Sequence, residues 1–250
     1  MHCQPENRKP VYIWLKNTQA CLLCDEPSDG PLPLCSDCEA ELPWLDGHCA
    51  VCALPLPGPS SAELICGECL RRPPAFAHVE TPWRYAFPLD ALITRFKHQA
   101  KWPLGRLLAA LLARHLLQAF DEGLAQPDSL LPVPLAKRRL RQRGFNQAAL
   151  LARWLSQDLH LKVDEQLLQR TQDTPAQQQL TAAARRRNLR QAFALLPGTR
   201  VEGRHLALVD DVLTTGATAQ SLAQLLIKAG AARVDVYCLA RTPKPGGGTF

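Results

Sequence analysis

The chain lacks any apolar run that approaches the roughly 18 residues of a membrane-spanning helix. Near its N-terminus the apolar stretch VYIWL is shorter than the roughly 7–15-residue apolar core of a secretory signal peptide. Neither a Walker phosphate loop nor a Ser-His-Asp arrangement is recognisable in the sequence. These absences argue against a membrane-spanning or secreted protein and give no support to those two chemistries. We expect a soluble, cytoplasmic protein.

Lys and Arg are absent from residues 21–70, which hold nine Asp and Glu and carry a formal charge of −9. Residues 71–250 contain 26 basic and 13 acidic side chains, a formal charge of +13. The whole-chain charge of +6 therefore hides two regions of opposite sign. Because such asymmetry between segments reflects different binding partners, we expect the larger region to attract anions and the smaller one not to.

Ten cysteines in a chain that is expected to be cytoplasmic indicate metal binding rather than disulfides. Eight of them form four Cys-x-x-Cys turns, each of which can supply two thiolates to a tetrahedral zinc ion. The four turns predict two structural zinc sites, which stabilise a segment too small for its own core. Sequential pairing closes short loops and is favoured over interleaved pairing; unligated or redox-active thiols are the alternative. The predicted ligands are Cys21, Cys24, Cys35, Cys38, Cys49, Cys52, Cys66 and Cys69.

The acidic charge of this cysteine module argues against nucleic-acid binding by its zinc sites. Phosphate backbones are bound by Lys and Arg, which residues 21–70 do not contain, and four thiolates on each zinc add negative charge. We therefore interpret the module as a structural element or as a docking surface for a protein partner or the adjoining basic domain. Cys238, in the predicted strand RVDVYCLA, is interpreted as a small buried apolar residue.

Predicted strands and helices alternate after the cysteine module. Extended segments are expected at HVETPWRYAF, SLLPVP, HLALVDDV and RVDVYCLA, and helices at LDALITRFKH, PLGRLLAALLARHLLQAF, FNQAALLARWLSQDL and ATAQSLAQLLIKAG, with a basic loop after SLLPVP. This alternation favours an α/β domain with a mostly parallel sheet flanked by helices. The predicted organisation is a lead-in over residues 1–20, the cysteine module over 21–72, the α/β domain over 76–242 and a disordered tail over 243–250.

The segment LALVDDVLTTGAT, residues 206–218, carries the strongest indication of a ligand site. An apolar strand that enters a tight turn and then a helix presents backbone N–H groups where the helix dipole favours an anion. Three threonines offer hydroxyl donors and Gly216 permits close backbone approach, so a pocket for one phosphate monoester is predicted. Asp210 and Asp211 would repel that phosphate, so we expect them to face a ribose diol or a magnesium ion. The alternative is a helix cap beside two solvated acids.

This segment resembles the phosphoribosyl pyrophosphate (PRPP) motif of type I phosphoribosyltransferases. The whole chain is similar to the ComF/GntX family, in which a double zinc ribbon precedes such a domain. The likeness includes LLPVPLAKRRLRQRGFNQAALLAR and TPAQQQLTAAARRRNLRQAF and runs from Cys21 to Arg241. The resemblance implies a type I phosphoribosyltransferase-like fold and a reaction in which a nitrogen nucleophile displaces magnesium pyrophosphate from the ribose anomeric carbon.

By position, the resemblance implies that Asp210 and Asp211 contact the ribose hydroxyls and that the turn after them holds the 5-phosphate. Residues 134–137 correspond to the pyrophosphate loop, and residues 170–190 to a mobile hood over the site. Arg185 in that hood is assigned to catalysis together with the two acids. The PRPP-binding residues so implied, with magnesium, are Asp210, Asp211, Thr214, Thr215, Gly216, Ala217, Thr218, Leu135, Ala136, Lys137, Arg141 and Arg143.

Two positions depart from the family pattern and leave the acceptor open. Ala136 stands where family members often carry His, and Thr214 stands where purine-base transferases carry an Asp that acts on the base. A competing hypothesis is a DNA-uptake protein that binds single-stranded DNA through its basic face, since the family includes proteins linked to competence and to DNA as a nutrient. A third is a regulator that binds PRPP without turnover.

Overall fold

Strands and helices alternate through the part of the chain that the structure describes, a computed structural model covering residues 19–28, 30–58, 64–171 and 192–244. The cysteine module contains β1 (Gln19–Ala20), β2 (Pro27–Ser28), α1 (Ser36–Ala40) and α2 (Gly67–Arg71). The strands that follow are β3 (His78–Glu80), β4 (Trp83–Arg84), β5 (Ser129–Pro132), β6 (Leu168–Arg170), β7 (Phe193–Leu195), β8 (His205–Leu213) and β9 (Arg233–Arg241). The helices that follow are α3 (Leu89–Gln99), α4 (Trp102–Asp121), α5 (Lys137–Arg143), α6 (Gln147–Leu159) and α7 (Ala217–Lys228).

The central sheet has the strand order β3–β9–β8–β5, and β4 continues beside the end of β9. Every pairing in it is parallel, with Leu131 opposite Leu208 and Asp210 opposite Cys238. Strands β6 and β7 form a separate antiparallel pair. The predicted mostly parallel α/β sheet is confirmed. Because parallel strands end at the same edge, the segments that follow β4, β5, β8 and β9 meet there.

Strands β8 and β9 are buried on both faces, as parallel strands covered by helices must be. On one face Leu206 and Leu208 pack with α7 and the β6–β7 pair. On the other, Ala207 and Val209 pack with α3, α4 and α6. The apolar stripe predicted on α4 is buried against this second face; it comprises Leu104, Leu107, Leu108, Leu111 and Leu112.

Helices α3 and α4 approach closely at Gly105. A side-chain carbon at this position would lie 2.5 Å from the ring of Phe96, which is closer than carbon atoms pack. Phe96 in turn lies among Phe145 and Trp154, with ring centroids 5.9 and 6.0 Å away. This packing holds the C-terminal end of α3, where Lys97 follows, against the sheet.

The cysteine module packs on the β3–β4 edge of the α/β domain. The ring centroids of Trp44 and Trp83 are 5.5 Å apart, and the Leu45 amide donates to the Pro82 carbonyl at 2.8 Å. Arg114 of α4 forms an ion pair with Glu39 of α1. These contacts agree with the interpretation of the acidic module as an element that rests on the basic domain.

One local expectation was wrong. The basic loop after β5 is a helix, α5, because Lys, Arg, Leu and Gln favour helix and Gly144, at φ 82°, ends it. The strand predicted at HLALVDDV is β8, which runs one residue further, to Leu213, and contains both Asp210 and Asp211 as expected. The predicted lead-in and tail lie almost entirely outside the described residues.

None of the helices in the described part of the chain is long and apolar enough to cross a bilayer.

Candidate functional site

Two clusters of four cysteines have the geometry of tetrahedral zinc sites. In each, the four sulfur atoms lie within 4.8 Å of one another. Cys24 and Cys35 have sulfurs 3.6 Å apart, and those of Cys52 and Cys66 are 3.7 Å apart. A tetrahedron with Zn–S bonds of about 2.3 Å has edges of about 3.8 Å, so both sets fit zinc. The turns pair sequentially: the first cluster is Cys21, Cys24, Cys35 and Cys38, and the second cluster is Cys49, Cys52, Cys66 and Cys69.

The two clusters differ in burial. Cys24 of the first cluster is exposed, whereas all four cysteines of the second cluster are buried. Burial acts to raise the pKa of the Cys49 thiol, but backbone amides, including that of Cys66 at 3.2 Å from its sulfur, lower the pKa to about 7. A thiol of that pKa is readily deprotonated for metal binding. Cys238 is fully buried, as predicted.

A cavity of about 330 Å³ opens at the carboxyl end of the central sheet. Its walls come from the ends of four parallel strands and from helices α3, α5, α6 and α7, which is where open α/β sheets place ligands. The lining residues are Tyr85, Lys97, Val133, Pro134, Leu135, Arg139, Arg143, Gln147, Arg170, Asp210, Asp211, Val212, Thr214, Thr218 and Thr242.

The acid pair meets a lysine at the cavity floor. Asp211 is 4% exposed, and its Oδ2 lies 2.7 Å from the ammonium of Lys97, which comes from α3. Its Oδ1 accepts from the Val212 amide at 2.8 Å. Asp210 accepts from the Asp211 amide at 2.9 Å. Both acids line the cavity, but they differ in that Asp211 is ion-paired with Lys97.

Burial shifts the ionisation of these groups toward neutral forms. Desolvation raises the pKa of Asp210 to about 7, although the charge of Lys97 acts to lower it. Desolvation also lowers the pKa of Lys97 to about 8; the charge of Asp210 acts to raise this pKa, and those of Arg143 and Arg139 act to lower it. The positive charges of Lys97, Arg139 and Arg143 are therefore incompletely balanced by the carboxyl of Asp210, whose pKa is raised. Incompletely balanced charge is common where a ligand binds.

The threonine turn, residues 214–218, connects β8 to α7. Gly216 is left-handed, at φ 72°, and is the N-cap of α7, which glycine adopts without strain. Thr214 and Thr218 line the cavity. Thr215 accepts from the Ala217 amide at 3.4 Å, so Thr215, Gly216 and Ala217 shape the turn between the two lining threonines. The N-terminus of a twelve-residue helix thus faces the cavity.

The remaining predicted residues divide between the cavity and the surface. Leu135 and Arg143 line the cavity. Ala136 is buried as the N-cap of α5. Lys137 and Arg141 lie on the exposed surface of α5, away from the lining. Arg185 lies outside the described residues.

Several lining residues were not predicted. The main one is Lys97, which follows Leu89 and Ile93 at four-residue spacing and therefore lies on the buried face of α3. A lysine on an apolar stripe was the available signal. Arg170, the first residue of the predicted hood, also lines the cavity, and its guanidinium lies 5.3 Å from the ring centroid of Phe193. The others are Tyr85, Arg139, Gln147 and Thr242.

Comparisons with known proteins cover both parts of the chain. Residues 18–70 match the family described as "Double zinc ribbon domain" and residues 142–247 match "Phosphoribosyl transferase domain". "DNA utilization protein YhgH" of Escherichia coli O157:H7 is 42% identical over 89% of this chain and 96% of its own. "Competence protein F" of Haemophilus influenzae is 36% identical over 84% of this chain and 85% of its own. A hypoxanthine phosphoribosyltransferase structure from Staphylococcus aureus is 13% identical, covering 58% of this chain and 69% of its own, with a TM-score of 0.37.

Proposed function

Since the chain belongs to the ComF family, with a double zinc ribbon joined to a phosphoribosyltransferase-like domain, we propose that its cavity binds PRPP. The protein transfers the phosphoribosyl group to a nitrogen acceptor and releases pyrophosphate. Reduced thiols for two zinc ions suit a cytoplasmic location. The observation that carries the proposal is the convergence of an acid pair, a threonine-lined helix N-terminus and several cations on one cavity.

The threonine turn supports binding of the 5-phosphate. The α7 N-terminus offers backbone N–H groups and a favourable dipole, and Thr214 and Thr218 add hydroxyl donors at the cavity wall. Asp210 lies four residues before Thr214, on β8. A ribose whose phosphate occupies the turn would present its hydroxyls to this acid, which accepts hydrogen bonds when ionised.

The cations around the cavity suit the pyrophosphate group. Burial and the nearby charge of Arg139 lower the pKa of Arg143, so the like charges of Arg139, Arg143 and Lys97 disfavour one another in the free protein. A polyanion relieves that repulsion, and guanidinium groups bind phosphate oxygens bidentately. These residues would stabilise negative charge that develops on the leaving pyrophosphate.

The donor set also fits magnesium. Magnesium is commonly held by one or two carboxylates together with substrate phosphates. Asp210 and Asp211 both line the cavity, and Asp211 is already paired with Lys97. We therefore assign Asp210 as the carboxylate that would hold the ion. When bound with PRPP, magnesium supplies charge neutralisation at the pyrophosphate.

Calorimetric titration with PRPP and magnesium tests the proposal. Asp210→Asn should bind at least about tenfold more weakly, because a hydrogen bond to a charged group contributes about 1.5–3 kcal/mol. Asp211 is left intact, since its loss would free Lys97 and strengthen anion binding. Glu202→Gln is the matched control, an exposed acid at the opposite end of β8. Absence of binding by the wild type, or equal binding by Asp210→Asn, would refute the proposal.

The basic helix α5 supports single-stranded DNA binding as a second candidate function. It carries five Lys and Arg, and none of its residues is buried. The names of the two relatives refer to DNA utilization and to competence. Lysine and arginine on such a surface bind phosphates and release counterions. The basic residues of α5 are Lys137, Arg138, Arg139, Arg141 and Arg143.

Salt dependence separates this candidate from PRPP binding. Affinity for an oligonucleotide should fall steeply between about 50 and 200 mM salt if several phosphates are contacted. A triple variant, Lys137→Ala, Arg138→Ala and Arg141→Ala, changes α5 residues that do not line the cavity. It should weaken DNA binding and flatten the salt dependence while PRPP binding stays unchanged. Unchanged DNA affinity in this variant would exclude α5 as the DNA surface.

A further inference from the structure

Arg241, the last residue of β9, is buried with 7% of its surface exposed. Its guanidinium donates to four backbone carbonyls. Nε donates to Cys52 at 2.9 Å. Nη1 faces the carbonyls of Leu213 at 3.0 Å, Thr242 at 2.9 Å, and Thr214. A buried cation held by carbonyl dipoles from separate segments fixes those segments relative to one another.

The carbonyls that Arg241 binds belong to two functional parts of the molecule. Cys52 is a predicted zinc ligand of the second cluster. Thr214 begins the threonine turn and lines the cavity. Thr242, which follows Arg241, also lines the cavity and donates its amide to the Leu213 carbonyl at 3.1 Å. One side chain therefore joins a zinc site to the turn proposed to hold a phosphate.

The threonine turn depends on such outside support. Thr214 and Thr215 are exposed, and Gly216 is in a left-handed conformation. The hydrogen bond from the Ala217 amide to the Thr215 hydroxyl is long, at 3.4 Å. A turn of this kind positions its N–H groups accurately only if its first residue is held in place.

The second cluster is built into the face of the sheet that carries α7, whereas the first cluster is not. Cys49 and Cys52 share one core with Leu213 and Cys238. The Ala75 amide, just after the second cluster, donates to Gln220 of α7 at 2.8 Å. The first cluster packs instead with α3 and α4 on the opposite face. A displacement of the second cluster, but not of the first, would therefore displace the threonine turn directly.

We infer that Arg241 is a positioning residue that couples metal in the second cluster to the threonine turn. Zinc holds the Cys52 backbone, the Cys52 carbonyl holds the guanidinium, and the guanidinium holds the Thr214 carbonyl. Loss of metal from the second cluster therefore loosens the turn and weakens phosphate binding, whereas loss from the first cluster does neither. The part that concerns phosphate affinity rests on the proposed function; the part that concerns order in the turn does not.

Hydrogen exchange measured by mass spectrometry on peptides spanning the threonine turn tests the coupling without any ligand. Cys69→Ser and Cys38→Ser remove the fourth ligand of the second and first clusters, so they are matched, and metal analysis should give one zinc each. Arg241→Met removes the donors but leaves both metals. Arg84→Met is its control, an exposed arginine that pairs with Arg241 in the β4–β9 register.

The amides of the threonine turn should exchange about tenfold faster in Cys69→Ser and in Arg241→Met than in the wild type, a coupling of ordinary size. Cys38→Ser and Arg84→Met should match the wild type. Unchanged exchange in Arg241→Met, or equal loosening by the two cysteine variants, would overturn the inference. If Arg241→Met does not fold, Arg241→Lys, which keeps the charge but loses the planar fork, should show intermediate exchange; wild-type exchange there would also overturn it.

Titration with ribose 5-phosphate adds the functional readout. Its affinity should fall about tenfold in Arg241→Met and Cys69→Ser and stay unchanged in Cys38→Ser. If the wild type binds no ribose 5-phosphate, the proposed function fails while the exchange result still decides the coupling. If the wild type binds and the exchange differs as expected but affinity does not, the turn is not the phosphate site and the functional part of the inference is wrong.

Discussion

Asp210 and Glu80 are both carboxylates held at the central sheet, yet their surroundings shift their pKa values in opposite directions. Burial acts to raise the pKa of Glu80, but hydrogen bonds from His115 at 2.8 Å and His78 at 2.6 Å lower it to about 2. Burial raises the pKa of Asp210 to about 7, although the charge of Lys97 acts to lower it. Glu80 accepts hydrogen bonds from two side chains of the fold, whereas Asp210 accepts from the Asp211 amide and lines the cavity.

The difference separates structural charge from functional charge. Both nitrogens of His78 face acceptors, Glu80 on one side and the Ala50 carbonyl, at 2.9 Å, on the other. Glu80 and its histidines therefore join β3, α4 and the cysteine module in one satisfied network. Asp210 faces a cavity instead. Paired groups stabilise the folded state, whereas incompletely paired groups destabilise it and bind ligands.

The largest effect is expected for Glu80→Gln. An amide has one acceptor oxygen where the carboxylate of Glu80 has two, so it cannot accept from both His78 and His115, and unfolding at pH 6 should require about 2–3 kcal/mol less free energy. Because the folded pKa of Glu80 lies below its usual value, its stabilisation is present above about pH 4.5 and is lost as the pH falls toward 2. Urea unfolding at pH 6 and pH 3 measures this; an equal difference at both values would contradict the network.

Asp210→Asn should change the free energy of unfolding in the opposite direction. Because the folded pKa is raised, the native state binds its proton more tightly than the unfolded state, and stability falls as the pH rises from about 3.8 to 7. The amide removes this penalty, so the variant should be more stable than wild type by about 2 kcal/mol at pH 8, seen as several degrees in Tm. The gain should vanish near pH 4. A destabilised variant at pH 8 would show that Asp210 is structurally paired.

The pH dependence of PRPP affinity gives a further test of the contrast between Glu80 and Asp210. If the ionised form of Asp210 binds the ribose hydroxyls or magnesium, PRPP should bind about tenfold more tightly at pH 8 than at pH 6, as expected for a group titrating near 7. Asp210→Asn reports the contribution from titration of PRPP itself. Parallel pH profiles of wild type and variant in calorimetry would assign the whole dependence to the ligand.

The smallest effect is expected for Glu39→Gln. Its ion pair with Arg114 also joins the cysteine module to α4, but the Arg114 side chain is 54% exposed. Exposed pairs contribute about 0.2–1 kcal/mol and are screened by salt. Thermal unfolding in low and high salt checks this. A loss as large as that of Glu80→Gln would mean that the module is held mainly by its surface charges.

Much of the fold could be predicted because its signals are local. Each Cys-x-x-Cys turn lies within four residues, the apolar stripe of α4 lies within one helix, and residues 206–218 contain strand, acids and turn in one segment. The helix α5 was missed because its charged residues were attributed to a loop, although helix propensity and Gly144 favoured the helix.

The sequence by itself determined the zinc-ligand set, the parallel sheet and the segment that ends at the threonine turn, since each follows from short spacings and hydrophobic periodicity. Only the tertiary structure decided which charges meet. The Lys97–Asp211 pair and the contact of Arg241 with Cys52 join residues far apart in the chain. Such pairs depend on how elements pack, and burial then sets the ionisation of their groups. Neither the pairing nor the ionisation can therefore be predicted from a local sequence pattern.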